Sequence, residues 1–232
     1  MDRIKHAIQI RSVTKRFGER VLFENLTFDA DVGQLLVLTG PSGSGKTTLL
    51  RIIAGLIPFD GKIEVCGRPV IAGTPCPDLV LIPQQPSLWE HLSALDNIAL
   101  VRHLLFKESK SEARQKASGY LEILDLMQAA DRFPRRLSGG EQQRVGLARG
   151  LATERPIFLL DEITANIDRD RKEIVGRVIA RLHEEGKTVV LVTHDPVIVK
   201  LLKSNPYCLE PDGLHARGII ENEDAKNDRQ QR

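Results

Sequence analysis

The sequence has no excess of charge of either sign, few cysteines and no long apolar run. Its 33 Lys and Arg residues nearly balance its 31 Asp and Glu residues, for a formal net charge of +2, so charge gives no reason to expect nucleic acid as a partner. The three cysteines, Cys66, Cys76 and Cys208, form no CxxC pair, which argues against a metal or disulfide framework and favours a reduced, cytosolic chain. No apolar run approaches the roughly 20 residues that span a bilayer, and no apolar segment of a secretory signal follows the first residues.

A glycine-rich segment, Gly40-Pro-Ser-Gly-Ser-Gly-Lys-Thr47, follows an apolar run and precedes a helical stretch. Glycines let the backbone wrap closely around phosphates, and the N–H groups at the start of the following helix attract them. Lys46 is placed to reach the β- and γ-phosphates, and the Thr47 hydroxyl is placed to bind Mg²⁺. The predicted nucleotide-binding residues of this loop are Gly40, Pro41, Ser42, Gly43, Ser44, Gly45, Lys46, Thr47 and Thr48.

Two adjacent acids, Asp161 and Glu162, end another apolar run. At the end of a strand beside a phosphate loop, Asp161 can hold Mg²⁺. Glu162 is then the candidate general base that orients and polarises the attacking water. A pair of acids at a strand end can also serve only as a helix cap, and the phosphate loop favours the catalytic interpretation.

Four short apolar runs indicate buried strands. They are Leu35–Leu38, Leu79–Ile82, Ile157–Leu160 and Val189–Val192. Their continuous hydrophobicity is typical of strands that are covered on both faces, as in a parallel sheet. Helices are predicted over 46–56 and 169–185, and this alternation predicts an α/β fold with a P-loop NTPase core and a mostly parallel sheet.

The rest of the chain departs from that alternation. Residues 87–145 contain helical segments around 96–105 and 111–127 but no strand-like run, which predicts an inserted helical subdomain. Residues 8–13 and 21–28 alternate polar and apolar side chains, so they predict an N-terminal antiparallel β subdomain with one solvated face. Residues 221–232 have almost nothing to bury and predict a disordered tail.

The octapeptide Leu137-Ser-Gly-Gly-Glu-Gln-Gln-Arg144 is the most specific pattern in the chain. Ser138, Gly139 and Gly140 stand at a predicted helix N-terminus, which attracts a γ-phosphate, and Glu141 three residues after Ser138 also predicts a capping box. Together with Gly40–Thr47 and Asp161-Glu162, the octapeptide closely resembles the ATPase subunits of the ATP-binding-cassette (ABC) family, over roughly residues 8–215. The resemblance implies one ABC ATPase domain over residues 1–220, with ATP and Mg²⁺ as cofactors.

The family resemblance assigns four further residues. Gln84 matches the glutamine that contacts Mg²⁺ and the attacking water, with Gln85 leaving a one-residue ambiguity. His194 matches the histidine that contacts the γ-phosphate and helps to hold the catalytic glutamate. Phe17 matches the aromatic residue that stacks on adenine. Asp168 matches the loop that crosses the dimer interface, although Ile163 stands where the family commonly has proline.

The resemblance also implies partners. Two copies, or this chain and a related ATPase subunit, are expected to meet head to tail, with each ATP between the phosphate loop of one chain and Ser138–Gly140 of the other. A separate membrane permease is expected to dock between Gln84 and Arg102, where Leu88, Trp89, His91 and Leu92 are candidates, and to hold the chain on the inner face of the cell membrane. Trp89 remains open between partner contact and ordinary packing.

Chains of this length resemble bacterial uptake ATPases, especially those for amino acids and similar small polar solutes. The alternative is a non-transport ABC ATPase that drives a membrane-remodelling or cell-division complex.

Overall fold

A computed structural model describes residues 5–210 and 213–216. Its strands are β1 (His6–Phe17), β2 (Arg20–Asp31), β3 (Leu35–Thr39), β4 (Asp60–Val65), β5 (Arg68–Pro69), β6 (Leu79–Ile82), β7 (Ile157–Asp161), β8 (Thr188–Val192), β9 (Tyr207–Glu210) and β10 (Gly213–Ala216). Its α-helices are α1 (Lys46–Ile53), α2 (Ala94–Phe106), α3 (Lys110–Ile123), α4 (Gly139–Leu151), α5 (Arg169–Glu184) and α6 (Pro196–Leu201). The predicted disordered tail lies outside the described residues.

The larger sheet has six strands in the order β10-β9-β3-β8-β7-β6. Every pair from β9 to β6 is parallel, and β10 pairs antiparallel with β9. Side chains of one strand alternate between two cores: Val37 packs in the first, and Leu36 and Leu38 pack in the second. The predicted mostly parallel sheet, covered on both faces, is confirmed.

The smaller sheet has four antiparallel strands in the order β2-β1-β4-β5. Ile8 and Ile10 of β1 are fully buried, and they pair with Ala30 and Phe28 of β2. The predicted N-terminal antiparallel sheet is therefore confirmed. It packs over the second core together with α1, which brings the β1–β2 turn toward the phosphate loop.

Residues 83–156, all of which the structure describes, contain helices and no strand. Helices α2 and α3 pack against each other and against α4. Because α4 continues to Leu151 beneath β6, it belongs to both the helical region and the sheet. The exact bounds of the inserted subdomain stay a prediction.

Helix ends differ from the sequence predictions where left-handed residues stop the helix. We predicted a helix over 46–56, but α1 ends at Ile53 because Gly55 adopts φ +75° and Leu56 donates its N–H to the carbonyl of Arg51. Helix α3 ends at Ile123 rather than near Met127, ahead of Asp125 at φ 53°. Helix α5 ends within one residue of its predicted end.

Four strands, β4, β5, β9 and β10, escaped the sequence analysis. Strand β9 has the sequence Tyr-Cys-Leu-Glu, which is too short and too polar to stand out as a buried run. It nevertheless extends the sheet, because it pairs parallel with the end of β3, and the Thr39 hydroxyl donates to the carbonyl of Tyr207 at 3.2 Å. The phosphate loop therefore has a backbone neighbour that the sequence did not reveal.

No helix in the described part of the chain combines the length and apolar character needed to cross a membrane. Cys66 and Cys76 are partly buried, and Cys208 is buried.

We predict that Gly55→Ala destabilises the protein more than Gly73→Ala does. Both glycines have φ near +80°, but a Cβ at Gly55 would lie 2.3 Å from the carbonyl oxygen of Thr74, whereas a Cβ at Gly73 meets nothing within 4 Å. The left-handed conformation alone costs an alanine about 1–2 kcal/mol, and the clash raises the loss of unfolding free energy at Gly55 to about 3 kcal/mol or more. Thermal denaturation measures both, at roughly 2–4 °C per kcal/mol. Equal losses for the two variants would contradict the close backbone approach.

Candidate active site

The phosphate loop joins β3 to α1, and three of its positions strongly favour glycine. Gly40, Gly43 and Gly45 have φ values of 134°, 80° and 97°. A Cβ at Gly40 would lie 3.2 Å from the carbonyl oxygen of Leu209, and one at Gly45 would lie 3.2 Å from the Phe23 ring. The loop therefore wraps tightly between β9 and the antiparallel sheet, with the N-terminus of α1 behind it.

Lys46 is the first residue of α1, and its side chain folds back into the loop. Its Nζ donates to the carbonyl oxygens of Gly40 and Pro41 at 2.8 and 2.9 Å. Burial lowers the pKa of Lys46, while the carboxylates of Glu162 and Asp161 act to raise it. A positive charge is thus held inside the loop that was predicted to bind phosphates.

Thr47 and Asp161 bring two oxygen ligands together. The Thr47 hydroxyl donates to Oδ1 of Asp161 at 3.0 Å. Asp161 ends β7 with 4% of its surface exposed, and burial raises its pKa while the Thr47 hydrogen bond lowers it. A hydroxyl and a carboxylate fit Mg²⁺, which binds through one or two carboxylates together with substrate phosphates. No group of three or more His, Cys, Asp or Glu side chains suited to a metal occurs within residues 5–210 and 213–216.

Glu162 and His194 meet across two neighbouring strand ends. Nε2 of His194 lies 3.4 Å from Oε1 of Glu162. Glu162 follows β7 in the left-handed conformation, φ 48°, and its N–H donates to the carbonyl of Val192 at the end of β8. Burial raises the pKa of Glu162, and His194 opposes that rise. The arrangement gives a half-buried carboxylate beside an imidazole, which suits a general base.

Gln84 follows β6, whose carboxyl end lies at the same edge of the sheet as that of β7. Gln84 and Gln85 are both exposed, so burial does not show which of them is the glutamine that contacts Mg²⁺ and the attacking water. The nearby carbonyl of Pro83 accepts a hydrogen bond from Nε2 of Gln143 on α4 at 3.3 Å. The assignment of Gln84 stays a prediction.

Phe17 ends β1 with 55% of its surface exposed. Nζ of Lys15 lies 4.7 Å from the centre of its ring. Phe17 pairs with Arg20 across the β1–β2 turn, and Nη2 of Arg20 donates to the carbonyl of Gly43 at 2.9 Å. The β1–β2 turn that carries the exposed ring is thereby tied to the phosphate loop, and stacking of Phe17 on adenine stays a prediction. Sequence analysis missed Arg20, since no motif marks it.

Ser138 begins α4, and the predicted capping box is present. Its Oγ accepts from the N–H of Glu141, and the Glu141 carboxylate accepts from the N–H of Ser138 at 2.7 Å. Ser138 and Gly139 are exposed, and a Cβ at Gly140 would lie 2.8 Å from the carbonyl oxygen of Asn166. The octapeptide therefore packs against the loop that leads to Asp168.

Asp168 caps the start of α5 and forms an ion pair with Arg171 at 3.0 Å. No hydrogen bond or ion pair between described residues joins Ser138, Gly139 or Gly140 to the phosphate loop of the same chain. The structure thus brings together Lys46, Thr47, Asp161, Glu162 and His194, and among the described residues the octapeptide makes no hydrogen bond or ion pair with them.

The fold and the site define a P-loop nucleotide-binding protein of the α/β class. A sequence model of the family described as ABC transporter matches residues 23–165. The chain belongs to the ABC transporter family.

Sequence relatives are named as import ATP-binding proteins. The chain is 40% identical over 200 residues to the sulfate/thiosulfate import ATP-binding protein CysA of Yersinia pseudotuberculosis serotype I (strain IP32953), with 82% of this chain and 54% of the relative covered. It is 39% identical over 200 residues to CysA of Escherichia coli (strain K12), with 82% and 53% covered. The chain thus spans about half the length of the curated relatives it matches. These names give no support to the amino-acid part of our expectation.

Solved structures with the same fold include two of the cassette MJ0796. One is described as a dimeric post-hydrolysis state bound to ADP and Pi, with a TM-score of 0.81 and 30% identity over 93% of this chain and 100% of that chain. The other is described as a dimeric bacterial ABC transporter cassette, with a TM-score of 0.81 and 31% identity over the same shares of the two chains.

We predict that Lys46→Ala weakens ATP binding, because it removes the buried ammonium that faces the phosphate site. Loss of charged hydrogen bonds of this kind costs about 1.5–3 kcal/mol, or roughly 10- to 100-fold in Kd. Calorimetric titration with ATP and Mg²⁺ measures the effect, and Lys62→Ala, an exposed lysine on β4, is the control. Undiminished binding by Lys46→Ala would contradict the assignment of the phosphate loop.

Proposed function

We propose that this chain is an ATPase subunit that hydrolyses ATP in a head-to-tail dimer and energises uptake of a small solute through a separate membrane permease. The observation that carries the proposal is that two sets of residues suited to phosphate do not contact each other within one chain. The groups suited to hydrolysis gather at one sheet edge. Ser138 and Gly139, at a helix N-terminus suited to a γ-phosphate, are exposed, and they make no hydrogen bond to those groups in the described part of the chain.

Hydrolysis follows from the roles of the gathered side chains. Lys46 binds the phosphates, and Thr47 and Asp161 hold Mg²⁺, which supplies charge neutralisation when it is bound. Glu162 accepts the proton of the attacking water, and His194 keeps its carboxylate in place at 3.4 Å. Because burial raises the pKa of Glu162, the carboxylate is a stronger base than an exposed glutamate.

The dimer follows from the exposed octapeptide. Ser138 and the backbone N–H groups of Gly139 and Gly140 become useful when they cover the phosphates of a nucleotide held by another chain. ATP then joins both surfaces, and loss of phosphate after hydrolysis weakens the bridge. The dimeric MJ0796 cassettes support this arrangement by analogy.

The transport role draws on the relatives, which are named for import of sulfate or thiosulfate. We extend this to uptake of a small solute. The cargo can be an amino acid, as the resemblance to uptake ATPases implies, or an inorganic anion, because no residue of the ATPase site need touch it. Docking of the permease between Gln84 and Arg102 places the chain on the cytoplasmic face of the membrane.

The exposure of the candidate residues reduces the number that can contact a permease. Leu88 is 9% exposed and packs in the first core, so it does not form part of the surface. Trp89 is 36% exposed and His91 is exposed. The docking surface in this proposal therefore centres on Trp89 and His91.

We predict that Glu162→Gln binds ATP but hydrolyses it at least about 100-fold more slowly, because the general base is lost. The unhydrolysed nucleotide holds two chains together, so the variant elutes as a dimer on size-exclusion chromatography with ATP and Mg²⁺. Ser138→Arg in the same background is the control, since its side chain blocks the trans surface without touching the phosphate loop. A monomeric Glu162→Gln at high protein concentration, or dimers of equal amount in both variants, would overturn the head-to-tail dimer.

We predict that a photo-cross-linking amino acid at position 91 captures a polytopic membrane protein in native membranes, whereas the same probe at Arg177 on the exposed side of α5 does not. Mass spectrometry of the cross-linked product identifies the partner and the segment attached. Capture of a transporter permease supports the proposal. Capture of a cell-division or envelope protein instead favours the non-transport alternative, and capture of soluble proteins alone argues against both.

A further inference from the structure

The loop between β8 and α6 carries His194, whose side chain is 48% exposed. Nε2 of its ring lies 3.4 Å from Oε1 of Glu162. Burial raises the pKa of Glu162, and both the ring and the backbone N–H of His194 act to lower it. The carboxylate of the proposed base is therefore placed by the ring and by the main chain of residue 194, so its position depends on what holds this loop.

The residues on either side of His194 are each anchored. Thr193 is buried, and its N–H donates to the carbonyl of Leu38 on β3 at 3.1 Å. The N–H of Asp195 donates to the Thr193 hydroxyl at 3.0 Å. Main-chain contacts thus hold the part of the loop next to β3, and the side chain of Asp195 remains to hold the other part.

Asp195 uses both oxygens of its carboxylate. Oδ1 accepts from the N–H of Val197 at 3.0 Å and so caps α6. Oδ2 lies 2.7 Å from Nζ of Lys172 on α5. Because partners on two different helices hold the two oxygens, the side chain is fixed in one orientation. Lys172 is the partner that ties the loop to α5.

Lys172 stands where α5 itself gains nothing from a cation. It is the fourth residue of the helix, and the helix dipole disfavours positive charge near the N-terminus. The side chain of Lys172 is 25% exposed and that of Asp195 is 10% exposed, so water and salt screen the pair less than they screen a surface pair. The ion pair, rather than the helix, explains a lysine at this position.

Other ion pairs of α5 differ in both respects. Those among the described residues join positions three or four apart, and each of their side chains is at least 43% exposed. They are Arg171–Asp168, Arg177–Glu173 and Arg181–Glu185. Exposed pairs of this kind contribute little to stability. Lys172 instead joins α5 to the loop that carries His194.

We propose that Lys172 is a positioning residue for ATP hydrolysis, which through its ion pair with Asp195 holds His194 against the Glu162 carboxylate. This inference rests on the proposed function, and it adds a residue that no motif marks. No hydrogen bond or ion pair in the described part of the chain joins Lys172 to the phosphate loop. The expected effect is therefore on the hydrolysis step and not on nucleotide binding.

The first test measures kcat, KM and the Kd for ATP of Lys172→Met, which keeps the length of the side chain and removes its charge. We expect kcat to fall at least about 10-fold, since a small displacement of a reacting group has effects of this size, while KM and Kd change less than about 2-fold. Lys172→Arg should recover most of kcat, because a guanidinium can pair with the same carboxylate. Arg181→Met, which breaks an exposed pair on the same helix, is the control.

A double-mutant cycle shows whether the effect runs through Asp195. Asp195→Asn removes the charge but keeps a side chain that can cap α6. If the ion pair is responsible, Lys172→Met and Asp195→Asn each lower kcat by a similar factor, and the double variant is no slower than the slower single variant. Effects that multiply in the double variant would overturn the inference.

A second background shows whether the effect reaches the general base. In Glu162→Gln, Lys172→Met should lower the residual single-turnover rate by less than about 2-fold, because residues that act as a unit have non-additive effects. A general distortion of the fold would instead slow the residual rate by the same factor as in the unchanged chain. That result would also count against the inference.

The outcomes separate the two proposals. Unchanged kcat in Lys172→Met, or a rise in KM and Kd that accounts for the lost activity, overturns the inference and leaves ATP hydrolysis by the chain intact. If Lys172→Met does not fold, as judged by thermal denaturation, Asp195→Asn carries the test, and a normal kcat for that variant overturns the inference. Absence of ATP hydrolysis by the unchanged chain at high protein concentration overturns the proposed function, and the inference with it.

Discussion

The parallel alignment of β3, β8 and β7 is the constraint on which the site depends. Leu38 pairs with Val192, and Asp161 pairs with Val192 from the other side. Because all three strands end at the same level, the phosphate loop, His194 and the two acids leave the sheet at one edge. The alternating burial of these strands in two cores holds that register, since a shift by one residue would turn every core side chain to the opposite face.

Desolvation gives the site its chemistry. Lys46, Asp161 and Glu162 are each partly or fully removed from water. Burial lowers the pKa of the lysine and raises the pKa of the two acids, so in each case it favours the uncharged form. The opposite charges of the lysine and the two carboxylates act against those shifts. A site balanced in this way is sensitive to a ligand that brings its own charge, as a nucleotide with Mg²⁺ does.

Helix α4 connects two surfaces with different predicted partners. Its N-terminus at Ser138 carries the surface for the second chain, and Arg149 near its C-terminus lines a cavity beside Trp89. Arg149 follows Ser138 by eleven positions along this helix, so the two surfaces lie about 16 Å apart on one rigid element. A change at one surface can thus be transmitted to the other by movement of the helix as a unit.

The amino-acid sequence by itself determined the fold class, the four buried strands and the residues predicted for the site, because close backbone approach, magnesium ligation and helix capping each require particular residue types at fixed spacing. It did not reveal β9, the Arg20–Gly43 hydrogen bond or the end of α1, since these depend on what lies beside them in space. Tertiary structure alone decided that Leu88 is buried, and that Nη1 of Arg149 has no hydrogen-bond partner among the residues that the structure describes. The burial and pairing of a side chain depend on residues that are far away along the chain, so a local sequence pattern cannot predict them.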